Sequence, residues 1–190
     1  MPRDRVLSLE NMRALFLKHA EEIIVQKGYQ NVTVRAIAEK AGYSAGTLYL
    51  CFNNLEDLLM QVEIVLLRRL QNKLQQTLDA SDEHVAIENV LTTYIKFAAD
   101  NAELWNLIHM SGYSDRLELP SEYTELFKSV RDIFYEAKKR QDGAPDKMAA
   151  GLIWSATHGI ASISTNKKVP ILTRSDSLAL AKKLAQSLEA

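Results

Sequence analysis

Thr33-Val34-Arg35-Ala36-Ile37-Ala38-Glu39-Lys40-Ala41-Gly42-Tyr43-Ser44-Ala45-Gly46-Thr47-Leu48-Tyr49 is the stretch on which the fold turns. It predicts a helix, a corner at Gly42 and a second short helix. Thr33 precedes a helical pattern, so its hydroxyl can cap the open amide groups of the first turn. Val34, Ile37, Ala38 and Ala41 stand three and four residues apart and form an apolar face. Ala38 is small enough to let a second helix pack close. Gly42 can take positive φ at the corner without steric cost. Ser44 then caps the second helix, predicted from Ala45 to about Cys51. Leu48 and Phe52, four apart, anchor it inward, and Ala45, Gly46, Thr47, Tyr49 and Cys51 are left to face outward. This is a helix-turn-helix pattern, and its second helix is of the kind that enters a DNA major groove.

Helical periodicity extends on both sides. A first helix is predicted from Leu9 to Lys27, with Met12, Leu15, Phe16, Ile23 and Ile24 inward and Gly28 ending it. Asn54 caps a long helix from Leu55 to about Asp79, with Asp57 completing a capping box. At about 1.5 Å per residue that helix spans roughly 37 Å, long enough to join two domains. Five further helices are predicted at about 83–100, 102–110, 121–141, 146–165 and 175–188, with 112–120 read as a loop. The fold class is all-α. Residues 1–54 are expected to form an amino-terminal three-helix bundle carrying the helix-turn-helix, and 55–190 a larger helical domain whose arrangement suggests ligand binding and dimerisation, with about nine helices in all.

The run from Thr33 to Phe52, followed by Glu56-Asp57-Leu58-Leu59, resembles the DNA-binding domain of the TetR family of transcriptional regulators. The similarity runs from roughly Asn11 to Leu59. It implies an all-helical homodimer, an operator-binding amino-terminal bundle and a carboxy-terminal domain that often binds a small molecule. Two positions depart from the family pattern. Cys51 stands where His is usual, and Leu55 where a Lys typically touches a phosphate, so one backbone contact fewer is implied.

Composition fits a globular protein: 47% hydrophobic residues can bury a sizeable core, and seven Gly and four Pro leave long stretches free for helices. The single Cys excludes an intrachain disulfide and suits a reducing compartment. The start, Met1 to Leu9, is short and charged and has no signal pattern, so the cytoplasm is expected. The chain carries a net charge of −1, and within residues 1–50 seven basic against five acidic side chains leave only +2. Arg3, Arg5, Arg35 and Lys40 are expected on one side. Few phosphate contacts per protomer and a modest salt dependence follow. Thr33 and Arg35 are assigned to grip the DNA backbone. Ser44, Ala45, Gly46, Thr47, Tyr49 and Cys51 are the reading segment, with Thr47 and Tyr49 set on phosphate or a thymine methyl. Few of these side chains can make bidentate base contacts, so DNA shape is expected to carry part of the specificity. Cys51 is read as a small surface residue near DNA rather than as an oxidant sensor.

No residue from Met148 to Thr165 is charged. Ser155, Thr157, His158, Ser162, Ser164 and Thr165 make the segment too polar for a membrane span, so it reads as a helix buried on all sides. Gly151, Ser155 and Gly159 recur every four residues, and with Ser162 they let another helix come close. Leu178, Ala181, Leu184, Ala185 and Leu188 supply an apolar stripe on the last helix. Two such helices from each of two chains would form a four-helix interface about a twofold axis.

Trp154-x-x-x-His158-Gly159 resembles a Trp-His-Gly signature of one carboxy-terminal subgroup of the same family. Trp154 and His158 share a helix face and can line a cavity. Tyr94, Phe97, Trp105, His109, Met110, Tyr113, Phe127 and Phe134 are further effector-pocket candidates, with Trp105, His109 and Tyr113 preferred. The effector is expected to be small and apolar or aromatic, and to release a repressor from a pseudo-palindromic operator. The four His are scattered, with no His-Glu-x-x-His, no Cys-x-x-Cys and no Gly-rich phosphate loop, so no enzyme, metal or cofactor is expected. The competing class is a helical ligand-binding or adaptor protein whose motif has degenerated.

Overall fold

The computed structural model describes residues 8–110, 118–143 and 147–187. Among them lie nine α-helices: α1 (Leu9–Lys27), α2 (Val34–Ala41), α3 (Ala45–Leu48), α4 (Leu55–Asp79), α5 (Ala86–Asp100), α6 (Ala102–Met110), α7 (Ser121–Asp142), α8 (Lys147–Thr165) and α9 (Arg174–Ser187). Short 3-10 turns cover Tyr29–Asn31 and Glu83–Val85, so α5 begins three residues later than its periodicity suggests. The chain divides into two compact units that part inside α4, after Val65. α4 is buried along both halves: Leu58 and Val62 in one, Leu70, Leu74 and Leu78 in the other.

In the amino-terminal unit, side chains cap the helices that the sequence opens with. Ser8 Oγ accepts from the Asn11 amide at 3.2 Å, and Thr33 Oγ1 from the Ala36 amide at 3.1 Å. Asn54 Oδ1 accepts from the Asp57 amide at 2.8 Å. Gly42 ends α2 in the left-handed region at φ 76°. There the Tyr43 amide bonds to the Ala38 carbonyl at 2.9 Å and the Gly42 amide to the Glu39 carbonyl at 3.1 Å, a Schellman closure. Phe16, Ala20, Ile23 and Ile24 of α1 meet the buried Ile37 and Ala38 of α2, and α3 adds Leu48. The Phe16 and Tyr43 rings pack edge to face with centroids 5.8 Å apart.

In the carboxy-terminal unit α5 is the hub, packed on α7, α8 and α9. Ile87, Val90, Leu91, Tyr94, Ile95 and Ala98 join Leu74 and Leu78 of α4, Phe134 of α7, Ile153 of α8 and Trp105 of α6 in one core. Burying each large side chain contributes roughly 1.5–3 kcal/mol, so this cluster dominates the unit's stability.

Two expectations for the last helices are corrected. α8 is not buried on all sides: Ile153, Thr157 and Ala161 face the core, whereas Met148 (79% exposed) and Leu152 (69%) face away. The helix lacks charge from Met148 to Thr165, but its neighbours within the chain cover a single side. The buried hydroxyls of Thr157 and Thr165 are satisfied by donating to the Ile153 and Ala161 carbonyls one turn back, at 2.8 and 3.1 Å. The α9 stripe, in turn, points into its own protomer. Ala181 and Ala185 are fully buried in the core described above, so they do not face a partner, and Leu178 and Leu184 pack partly against that core. Leu188 lies outside the described residues.

Candidate functional site

Helix α3 and the turn after it form an outward edge. The Ser44 hydroxyl accepts the Thr47 amide at 3.2 Å and bonds the Thr47 hydroxyl at 3.0 Å. These contacts hold a helix of only 4 residues. Leu48 and Phe52 are buried, whereas Ser44, Ala45, Gly46, Tyr49 and Leu50 are exposed. A Cβ built on Gly46 meets only the Ser44 hydroxyl, at 3.5 Å, so the helix backbone is open to close approach there. Helical bonding continues past α3: the Cys51 and Phe52 amides both donate to the Leu48 carbonyl, at 2.9 and 3.1 Å.

Arg13 fastens this edge to α1. Its guanidinium donates to the Cys51 carbonyl at 2.6 Å and lies 4.5 Å over the Phe52 ring. A charge-assisted hydrogen bond and a cation–π contact thus fix the turn that ends the reading segment. Cys51 does not face outward with Tyr49. It is half-buried, with its thiol 3.9 Å from the Leu9 carbonyl. That placement follows from the helical angle, which turns position 51 toward α1. Sequence reasoning missed Arg13. Its partner, the Cys51 carbonyl, lies 38 residues away, where no local pattern shows it.

The basic residues divide. Arg35 and Thr33 are exposed at the start of α2. Lys40 instead pairs with Glu22 at 3.2 Å, and Glu22 also lies 3.1 Å from His19 Nδ1. Hydrogen bonds to His19 and then Lys40 hold the Glu22 carboxyl below its ordinary range. Arg3 and Arg5 lie outside the described residues.

A ring cluster marks the carboxy-terminal unit. Tyr94 sits at its centre, with centroids 5.3 Å from Trp105 and 5.5 Å from Phe134. Its hydroxyl is 2.6 Å from His158 Nδ1. Burial pushes the Tyr94 phenol above its ordinary value, so the group stays protonated. His158 stacks on Trp154 at 5.4 Å with an interplanar angle of 29°. Trp154 also belongs to the wall of a groove of about 1070 Å³ between α7 and α8, together with Arg131, Tyr135 and Glu136 of α7 and Met148 and Leu152 of α8. Thus four expected effector residues, Tyr94, Trp105, Trp154 and His158, come together. Phe97 packs partly against the same core, whereas Phe127 pairs instead with Tyr123 at 5.2 Å. Tyr113 and the side chains of His109 and Met110 lie outside the described residues.

Cβ atoms built on Gly151 and Gly159 meet nothing within 4 Å, so this row lies on the open side of α8. Among the described residues no helix is long and apolar enough to cross a membrane. Nor do they hold a group of three or more His, Cys, Asp or Glu that could bind a metal.

Comparison with known proteins agrees with this geometry. A family model described as "Bacterial regulatory proteins, tetR family" matches residues 16–62, and one described as "Tetracyclin repressor-like, C-terminal domain" matches 87–188, more than half of the chain. The chain is similar to the fatty acid metabolism regulator protein of Bacillus subtilis (strain 168), 29% identical over 117 residues. That match spans 60% of this chain and 56% of the relative. The fold is similar to that of the fatty acid degradation regulator FadR of Bacillus halodurans, with TM-score 0.70, 22% identity and 94% of each chain covered. It is likewise similar to FadR of Bacillus subtilis in complex with stearoyl-CoA, with TM-score 0.69, 21% identity, and 95% of this chain and 98% of that one covered. At these identities the structural likeness speaks for the fold. The helix-turn-helix at the front and the match over the larger part of the remainder place the chain in one family: it belongs to the TetR family of transcriptional regulators.

Proposed function

We propose that this regulator is a repressor, and that a ligand of fatty-acyl type releases it from its operator. The observation that carries the reading is the edge of α3, uncovered at Ala45, Gly46 and Tyr49 and held rigid by the Ser44 cap and by Arg13. Thr33 and Arg35 serve the phosphate backbone from the start of α2. The ring cluster supports the ligand half: it is apolar, and it buries one hydroxyl–imidazole pair that a ligand can break. Similarity to a fatty acid metabolism regulator, and to a fold solved with stearoyl-CoA, favours a long apolar chain as occupant. Ligand and operator then oppose each other with a coupling of about 1–3 kcal/mol.

The test is fluorescence anisotropy with a duplex selected by the protein from a random pool. Thr47→Ala with Tyr49→Ala abolishes binding while the helical circular-dichroism signal stays. Stearoyl-CoA weakens wild-type binding roughly 5- to 150-fold. Failure to bind any duplex at low salt overturns the reading. Indifference to stearoyl-CoA removes the ligand class.

Operator binding by two heads needs a homodimer, with recognition helices about 34–36 Å apart in successive major grooves. The open row Gly151, Ser155, Gly159 and Ser162 on α8, flanked by Met148, Leu152 and Ile163, is the proposed face. Bare backbone at both glycines admits a partner helix at close range. Gly159→Arg fills that space and splits the dimer in sedimentation velocity. A dimer that persists puts the interface elsewhere.

A further inference from the structure

The recognition edge presents a side chain that no polar chemistry explains. Leu50 is 70% exposed, immediately after Tyr49. It stands two residues from Leu48 and two from Phe52, the pair that anchors the segment inward. At about 100° per residue, both separations place it on the far side of the helical turn. The turn is well defined there, because the Leu50 amide donates to the Thr47 carbonyl at 3.2 Å and the Cys51 carbonyl is held by Arg13 at 2.6 Å. One helical turn back lies Gly46, which offers no side chain to shield it. The hydroxyls on the same edge, those of Ser44 and Thr47, are engaged with each other at 3.0 Å. Beside the phenol of Tyr49, which is 54% exposed, the edge therefore presents a branched hydrocarbon next to bare backbone.

A large apolar group in that position gains nothing from water or phosphate. In the major groove, one base feature rewards it: the 5-methyl group of thymine. We propose that Leu50 reads a thymine methyl in each operator half-site, so that this position of the operator is chosen by hydrocarbon contact rather than by hydrogen bonding. The assignment rests on the DNA-binding reading above and adds a specificity-determining residue to it. It also accounts for recognition by a segment that has few side chains able to make bidentate base contacts.

Deoxyuridine differs from thymidine only by that methyl, so it isolates the contact. The duplex recovered by wild-type protein from a random pool is resynthesised with each thymine pair, one in each half-site, replaced in turn by deoxyuridine. Wild-type protein and Leu50→Ala are titrated against every duplex. The leucine is exposed, so its truncation leaves the core intact, and unchanged thermal unfolding verifies this. One symmetrical thymine pair is expected at which deoxyuridine weakens wild-type binding roughly fourfold per half-site, the value of one buried methyl. Leu50→Ala weakens binding to the parent duplex at least as much and is indifferent to deoxyuridine at that pair alone. If deoxyuridine costs both proteins the same at every pair, or a selected site lacks thymine, the assignment to Leu50 falls while DNA binding stands. If wild-type protein binds no duplex at low salt, both fall.

Discussion

The helix-turn-helix unit begins its helices with side-chain caps, whereas in the carboxy-terminal unit the core helices α5 and α7 begin without one. There α9 does carry a capping box, in which Thr173 Oγ1 accepts the Asp176 amide at 3.1 Å and Asp176 Oδ2 accepts the Thr173 amide at 2.9 Å. Ser8, Thr33 and Ser44 each cap a helix, and two of those helices have only 8 and 4 residues. Helices that short are marginal in isolation, so their ends need local support. By contrast α5 and α7 begin at Val85 and Pro120 with no side-chain cap bond, and their 15 and 22 residues are stabilised by burial. A reading head has to leave one face of a short helix bare. It can do so because capping and the Arg13 contacts stabilise the helix without covering that face. The larger unit is held instead by a shared core in which the Tyr94 ring meets Trp105, Phe134 and His158.

Truncation separates the two modes. Phe134→Ala removes a fully buried ring packed against Tyr94 and costs about 3–5 kcal/mol, read as a lower urea midpoint with the slope unchanged. Ser44→Ala, a cap removal, costs only about 0.5–2 kcal/mol. Equal costs would mean that the head depends on packing as much as the larger unit does.

Tyr94→Phe gives the next effect. It keeps the ring and removes the hydroxyl 2.6 Å from His158 Nδ1, at a cost of about 1–3 kcal/mol. It also changes the pH dependence. Burial raises the folded-state phenol above its ordinary value of 10.0, so above about pH 10 the unfolded chain releases a proton that the folded chain retains. Stability from Tyr94 is thus complete below pH 10 and declines above it, by up to about 1.4 kcal/mol per pH unit. Phe removes that component, and an alkaline limb of the same slope in wild type and variant excludes it.

These differences explain what was legible in the sequence. Thr33, Gly42, Ser44 and Asn54 act within four residues of their own position, so spacing alone locates them. The helix periods also held, to within a few residues at each end. The carboxy-terminal roles depend on distant pairings. Ala181 and Ala185 form a stripe either toward a partner or toward α5, and only packing decides between them. Phe127 and Phe134 lie on the same helix with the same chemistry, yet one joins Tyr94 and the other Tyr123. Arg13 and Cys51 are 38 residues apart, a contact that no local pattern encodes.

One substitution, made in each unit, sharpens the comparison most. At Gly42 an added Cβ meets nothing within 4 Å, but φ is +76°, a conformation that costs an L side chain about 1–2 kcal/mol. Gly42→Ala therefore destabilises through the backbone alone. Gly159 also has open space, but it lies inside α8 at ordinary helical φ. There alanine stabilises the isolated protomer by about 0.5–1 kcal/mol, because glycine gives up more chain entropy on folding. The sign changes if a partner helix rests on that row, since the new methyl then occupies the partner's space. Because dimer formation follows mass action, the unfolding midpoint of Gly159→Ala rises relative to wild type at low protein concentration and loses that gain as concentration increases. A gain that persists undiminished at high concentration means that nothing packs on the open side of α8.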